Sequence, residues 1–211
     1  MGIAALEPPS WDGKFAIILG HGAGQGMESP FMSYFHRELA NRGVLSVTFN
    51  FDYMEQKRHA PDPQPKLQAK YRAVVEEVIS KYTPKKVVIG GKSMGGRVAS
   101  YIAGDTPEVS GLLFLGYPLH PPGKTEQLRD QHLYQLTLPM LFISGTRDTF
   151  AERNLLDRVV RKIGPNATLL WIDGGDHSLK RGRKDGDSLR VALDAIMNWL
   201  DADLKPVTTW T

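Results

Sequence analysis

Ser93 lies between two glycines in the run Gly91-Lys92-Ser93-Met94-Gly95, directly after the β-branched segment Val87 to Ile89. Gly-Lys-Ser also closes phosphate-binding loops, but those loops need a further glycine five positions before the Gly-Lys pair so that backbone amides can wrap a phosphate. That position is Lys86, where the chain still reads as extended. The frame G-x-S-x-G describes a different device. A strand turns sharply into a helix and presents a serine hydroxyl at the apex, with small neighbours as a steric requirement.

A serine hydroxyl is a weak nucleophile at neutral pH and needs a base within hydrogen-bond reach, together with an acid that fixes the base's tautomer. Asp148 follows the apolar run Met140 to Ser144, and His177 follows the run Thr168 to Ile172. The chain order Ser93, Asp148, His177 is the order serine, acid, histidine of α/β-hydrolases. Taken singly, Asp148 reads as a helix cap and His177 as a turn residue. The chemistry also needs two backbone amides aimed at a developing oxyanion. Met94, the residue after the serine, is expected to supply one. The loop His21-Gly22-Ala23-Gly24 is expected to supply the other through Ala23, or alternatively Gly24.

The elements that would carry these residues alternate. Short apolar runs at Phe15 to Leu19, Leu45 to Phe49, Val87 to Ile89, Leu112 to Leu115, Met140 to Ser144 and Thr168 to Ile172 read as strands. Helical periodicity covers Phe31 to Asn41, Lys66 to Lys81, Gly95 to Ala103, Glu152 to Ile163 and Ser188 to Leu200. The fold class expected is therefore α/β, a mostly parallel sheet with helices on both faces and a site beyond the carboxyl ends of the strands. A dinucleotide-binding fold shares this layout. The glycines from Gly20 to Gly26 fail its G-x-G-x-x-G fingerprint, because the sixth position is Gln25, Met27 or Ser29 in the three registers. Asp52 is the nearest candidate for a ribose acceptor.

A chain of 211 residues that is 41% hydrophobic can bury one core, and a single domain over residues 1–211 is expected. There is no cysteine, which excludes disulfides, thiolate metal sites and a cysteine nucleophile and suits a cytoplasmic protein. The amino terminus has no signal-peptide pattern and no run reaches membrane-spanning length, so no membrane partner is expected. The net charge of +3 is concentrated in Lys57-Arg58-His59 and in the run Lys180 to Lys184. Neither run is interleaved with aromatic residues, so nucleic acid is not the expected partner. Both runs read as solvated loops, with a role in favouring anionic substrates as the functional alternative. His120 and His132 have no partners at ligand spacing, and neither a metal nor a cofactor is expected.

The segments HGAGQGM, FNFDYMEQKRHAPD, GKSMGGRVAS and GTRDTF make the chain resemble the α/β-hydrolases from Phe15 to Leu200. They resemble in particular a dienelactone-hydrolase-like branch that includes testis-expressed protein 30 and the third subunit of the non-specific-lethal chromatin complex. The resemblance implies Ser93, Asp148 and His177 as a catalytic triad. It does not carry a substrate, since strict dienelactone hydrolases use a cysteine nucleophile. The expected function is a serine hydrolase, a carboxylesterase acting on a small-molecule ester through an acyl-enzyme. The alternative is a non-catalytic interaction scaffold that keeps the fold. The span from Gly116 to Pro139 is too short for a full helical cap, so little or no lid is expected, with His21, Tyr117 and Leu119 as candidate pocket residues.

Overall fold

The computed structural model describes residues 2–182 and 187–206. They group into two compact units, Met1–Ser110 and Gly111–Thr211. In the first unit the elements run β1 (Ile3–Leu6), β2 (Phe15–Gly20), α1 (Pro30–Asn41), β3 (Leu45–Phe49), α2 (Asp52–Glu55), α3 (Gln64–Tyr82), β4 (Lys86–Lys92) and α4 (Met94–Ile102). Strand β5 (Val109–Leu115) begins at the end of this unit. The second unit continues through β6 (Met140–Gly145), α5 (Arg153–Ile163), β7 (Ala167–Ile172) and α6 (Asp187–Asp201).

Strands of the first unit lie in the order β1-β3-β2-β4, and those of the second in the order β5-β6-β7. β2 pairs in parallel with β3 and β4, and β6 pairs in parallel with β5 and β7. Every residue of β2, β3 and β6 is buried, which is why these strands read as continuous apolar runs rather than alternating ones. β1 is the exception in direction, running antiparallel to β3 with Ile3 opposite Phe49. Its four residues are too few to carry a periodicity, and it is absent from the sequence expectations. The single turn α2 is absent for the same reason.

The helices bury the faces their periodicity points inward. α6 covers the second unit with Leu189, Leu193, Ile196, Trp199 and Leu200, and Trp199 is fully buried, while Val191 faces solvent. α1 begins with Pro30 at its first position and is capped by Ser29, whose hydroxyl accepts the Met32 N–H. The span after β5 holds one short 3-10 turn, Gln131–Gln135, and no helical cap among the described residues.

Tyr71 of α3 ties the helix to the strands beneath it. Its fully buried hydroxyl lies 2.7 Å from the carbonyl oxygens of Ile18 and Gly90 and accepts the Gly90 N–H at 3.0 Å. Burial pushes the phenol well above its usual pKa, with the backbone hydrogen bonds opposing, so it stays neutral and able to donate. Tyr71→Phe leaves this cluster without its central hydroxyl and should cost about 1–3 kcal/mol. The fall in the urea midpoint at unchanged m-value measures it, and an unaltered midpoint refutes it.

Candidate functional site

Ser93 occupies the junction of β4 and α4 with φ 49° and ψ −112°, an unfavourable conformation for a residue with a Cβ. The glycines on either side permit the turn. A Cβ on Gly91 would stand 2.0 Å from the carbonyl oxygen of Gly20, and one on Gly95 would stand 2.1 Å from the same atom. Both would overlap the backbone of β2. Any larger residue at either position would push the β4–α4 turn off the end of β2, so the small neighbours are a packing requirement.

The loop after β2 lies beside this turn, since a Cβ on Gly22 would come 3.6 Å from the Ser93 Cβ. His21 holds the loop in place. It is fully buried, its Nδ1 lies 2.8 Å from the Gly22 carbonyl oxygen, and its Nε2 accepts the Phe51 N–H at 3.1 Å. An acceptor at Nε2 and a carbonyl at Nδ1 require the neutral tautomer with its proton on Nδ1. Burial lowers the His21 pKa, with the Gly22 hydrogen bond opposing. Ala23 and Gly24 follow on the exposed side of the loop. Met94 occupies the first position of α4, where the N–H has no partner within the helix. The Lys92 ammonium lies over the Phe31 ring at 5.3 Å, a packing role rather than phosphate binding.

In the second unit the Nδ1–H of His177 donates to the Asp148 carboxylate, with 2.8 and 2.9 Å to its two oxygens. The Asp148 side chain is fully shielded from solvent while that of His177 is 21% exposed. One Asp148 oxygen also accepts the Phe150 N–H at 2.8 Å, and the Phe150 ring packs on the imidazole at 4.3 Å. Close contact between the β6 and β7 loops sets this arrangement. Arg147 N–H donates to the Gly175 carbonyl at 2.8 Å, and a Cβ on Gly145 would stand 2.2 Å from that same oxygen. The neighbouring acids are occupied elsewhere. Asp176 accepts the amides of Ser178 and Lys180 and so shapes the turn after His177, while Asp173 is approached by the Thr146 hydroxyl at 3.4 Å.

The side chains expected to line a pocket are buried instead. His21 is 0% exposed, Tyr117 1% and Leu119 0%. The Tyr117 hydroxyl donates to the Arg129 carbonyl at 2.6 Å, and its ring packs against Phe114 and Phe142. These three hold loops and core rather than offering surface to a ligand. The second unit does present an open cleft of about 520 Å³ beside the Asp148 loop, with Thr125, Thr146, Arg147, Thr149 and Arg153 in its walls. Sequence patterning gave no sign of it, because its residues come from two loops and the first turn of α5, brought together by folding.

The first basic run is partly neutralised. Arg58 pairs with Asp62 at 2.5 Å, and Lys66 lies 3.5 Å from the same carboxylate. Asp52, weighed as a ribose acceptor, is held by Lys70 at 3.1 Å. In the second run, Arg183 and Lys184 lie outside the described residues. No group of three or more His, Cys, Asp or Glu side chains among the described residues could hold a metal ion. No described helix is long and apolar enough to cross a membrane.

The alpha/beta hydrolase domain family matches residues 13–203, nearly the whole chain. The chain belongs to that family. A candidate carboxymethylenebutenolidase of Aquifex aeolicus (strain VF5) is 28% identical to this hydrolase over 193 residues, covering 83% of this chain and 76% of the relative. A lidless a/b serine hydrolase of Xanthomonas campestris superposes with a TM-score of 0.74 at 19% identity, over 98% of this chain and 90% of that one. A dienelactone hydrolase of Anabaena variabilis superposes with a TM-score of 0.75 at 16% identity, over 95% of this chain and 90% of that one. At these identities the likeness to both solved structures is one of fold. That fold is the α/β-hydrolase fold, with a mostly parallel sheet and dienelactone-hydrolase-like neighbours.

The neutral His21 gives the hydrolase a pH-dependent stability. Its folded pKa lies below the ordinary 6.5, so between the two values the unfolded chain binds a proton that the folded chain refuses. The stabilisation is complete above 6.5 and is lost as pH falls from there toward the depressed folded value. His36, whose pKa burial also lowers, contributes with the same sign. His21→Gln should therefore lose less of its urea midpoint than the native protein between about pH 7.5 and about pH 5.5. Equal losses in the two proteins refute the assignment.

Proposed function

We propose that this hydrolase is a serine carboxylesterase, with Ser93 as nucleophile, His177 as general base and Asp148 as the group that holds the base. The strained backbone of Ser93 between two glycines that admit no side chain is the observation that carries the reading. A non-glycine residue kept in this region costs of order 1–3 kcal/mol, and such strain concentrates where a reactive group must be presented. The His177–Asp148 hydrogen bond and the family membership support it independently. Within the family we place the chain with the testis-expressed protein 30 type, as a single domain over 1–211 that works in the cytoplasm on a small-molecule ester.

In the proposed reaction Ser93 Oγ attacks the ester carbonyl carbon as its proton passes to Nε2 of His177. The Asp148 carboxylate keeps the histidine proton on Nδ1 and stabilises the imidazolium that forms. The carbonyl oxygen becomes an oxyanion that the amides of Met94 and Ala23 receive, with Gly24 as the alternative donor in the second loop. The intermediate then expels the alcohol, which leaves with the proton from His177. Water attacks the acyl-enzyme by the same route, giving its proton to His177, and Ser93 takes a proton back as the carboxylic acid departs. The lack of a helical cap after β5 favours small or protruding esters over long buried acyl chains.

Labelling with a fluorophosphonate tests the nucleophile, because it asks only whether Ser93 is activated. The native protein should label and hydrolyse short aryl esters, and Ser93→Ala should do neither while remaining folded. A native protein that neither labels nor turns over any ester in a broad panel refutes the esterase and leaves the interaction scaffold. Asp148→Asn should lower kcat by roughly 10⁴-fold, and Asp176→Asn should change it little. The reverse pattern in steady-state kinetics would reassign the acid.

A further inference from the structure

His120 lies in the loop after β5 and is 2% exposed. Its Nε2 accepts the Glu152 N–H at 3.0 Å, its Nδ1 lies 3.0 Å from the Pro121 carbonyl oxygen, and its own backbone N–H donates to the Phe150 carbonyl at 3.0 Å. As at His21, a carbonyl at Nδ1 and an N–H at Nε2 permit only the neutral imidazole with its proton on Nδ1. Each buried histidine spends its Nδ1–H on the next residue's carbonyl and its Nε2 lone pair on an amide of a distant loop. For His120 that distant loop is 148–152. This loop carries Asp148, which binds His177 Nδ1, and Phe150, which packs on the imidazole and donates its amide to Asp148.

We propose that His120 is a positioning residue that acts through the acid loop. By pinning the Phe150 carbonyl and the Glu152 amide, it fixes both groups that orient His177. The main-chain N–H of His120 holds the Phe150 carbonyl and its imidazole holds the Glu152 amide, on either side of Ala151. Releasing the amide therefore frees the segment after Asp148 to move and lets the carboxylate turn from the His177 imidazole. Geometry held between loops is sensitive to such release, because a small misplacement of a catalytic base costs rate rather than binding. The proposal rests on the reading of His177 and Asp148 as the catalytic base and its partner.

The link can be cut from either side. His120→Phe removes the acceptor and keeps the bulk, His120→Gln keeps an acceptor oxygen within reach, and Glu152→Pro removes the donated N–H at an exposed site. The φ of Glu152 is −56°, which proline adopts without strain. With a short aryl ester, His120→Phe and Glu152→Pro should each lower kcat by roughly tenfold or more with KM unchanged, as expected for loss of a buried hydrogen bond. The double variant should be no slower than either single one, and His120→Gln should recover most of the rate. Glu152→Pro with native kcat, losses that multiply in the double variant, or a change confined to KM would overturn the proposal.

Amide hydrogen exchange at Phe150 is read in the same variants and needs no activity. Exchange that quickens in His120→Phe and Glu152→Pro and slows again in His120→Gln supports the link. Unchanged exchange overturns it. If the native protein is inert toward both the probe and the esters, the esterase reading fails and exchange alone decides whether His120 fixes the loop.

Discussion

Three backbones converge on Gly20, at the carboxyl end of β2. The glycines that flank Ser93 each approach its carbonyl oxygen to within a distance that no side-chain carbon could share. This contact sets where α4 can start, because the helix begins at Met94 while the strand before it is still paired with β2. It also sets the conformation of Ser93, since a residue between two such constrained points has one way to turn. The loop that begins at His21 leaves the same strand one residue later, so strand end, serine and loop share an origin. Tyr71 reinforces the point from above by satisfying the backbone of both strands just before they reach it.

The second unit solves the equivalent problem with hydrogen bonds as well as contact. Gly175 accepts from the Arg147 amide and packs on Gly145, which brings the loop of Asp148 against the loop of His177. Both Asp148 oxygens are then engaged, one of them shared between an imidazole and an amide. Buried carboxylates are costly unless their acceptor sites are used, and this one is fully shielded from water. Both units use a buried neutral histidine to tie a loop, an economical choice because imidazole donates and accepts through opposite edges of a rigid ring.

Sequence patterning located the strands to within a few residues because parallel strands covered on both faces leave unbroken apolar runs. It missed β1, whose four residues have no pattern of their own and exist as a strand only through pairing with β3. It missed α2, a single turn held by ion pairs from α3. Among the candidate site residues, what could be read was position, a serine between glycines and an acid and a histidine behind later strands. What could not be read was burial. His21, Tyr117 and Leu119 stand at strand ends, where ligand contacts are common, yet folding buries all three, and the polar atoms of His21 and Tyr117 meet backbone groups. Phe51 amide is thirty residues from His21 and Glu152 amide thirty-two from His120, separations that local spacing does not encode.

The stretch from Pro121 to Gln127 is the least committed part of the second unit. Most of its residues are exposed, and Gly123 has open space where a side chain would stand. It is flanked on one side by His120 and on the other by Arg129, whose amide returns to the Leu119 carbonyl. The ends of this excursion are therefore pinned together while its middle touches little. Lengthening a loop whose ends are already closed costs only fractions of a kcal/mol per doubling, on the order of 0.6. A longer segment here would leave β5, Asp148 and His177 where they are, so the chain can be extended over the cleft beside Asp148 at little cost to the fold.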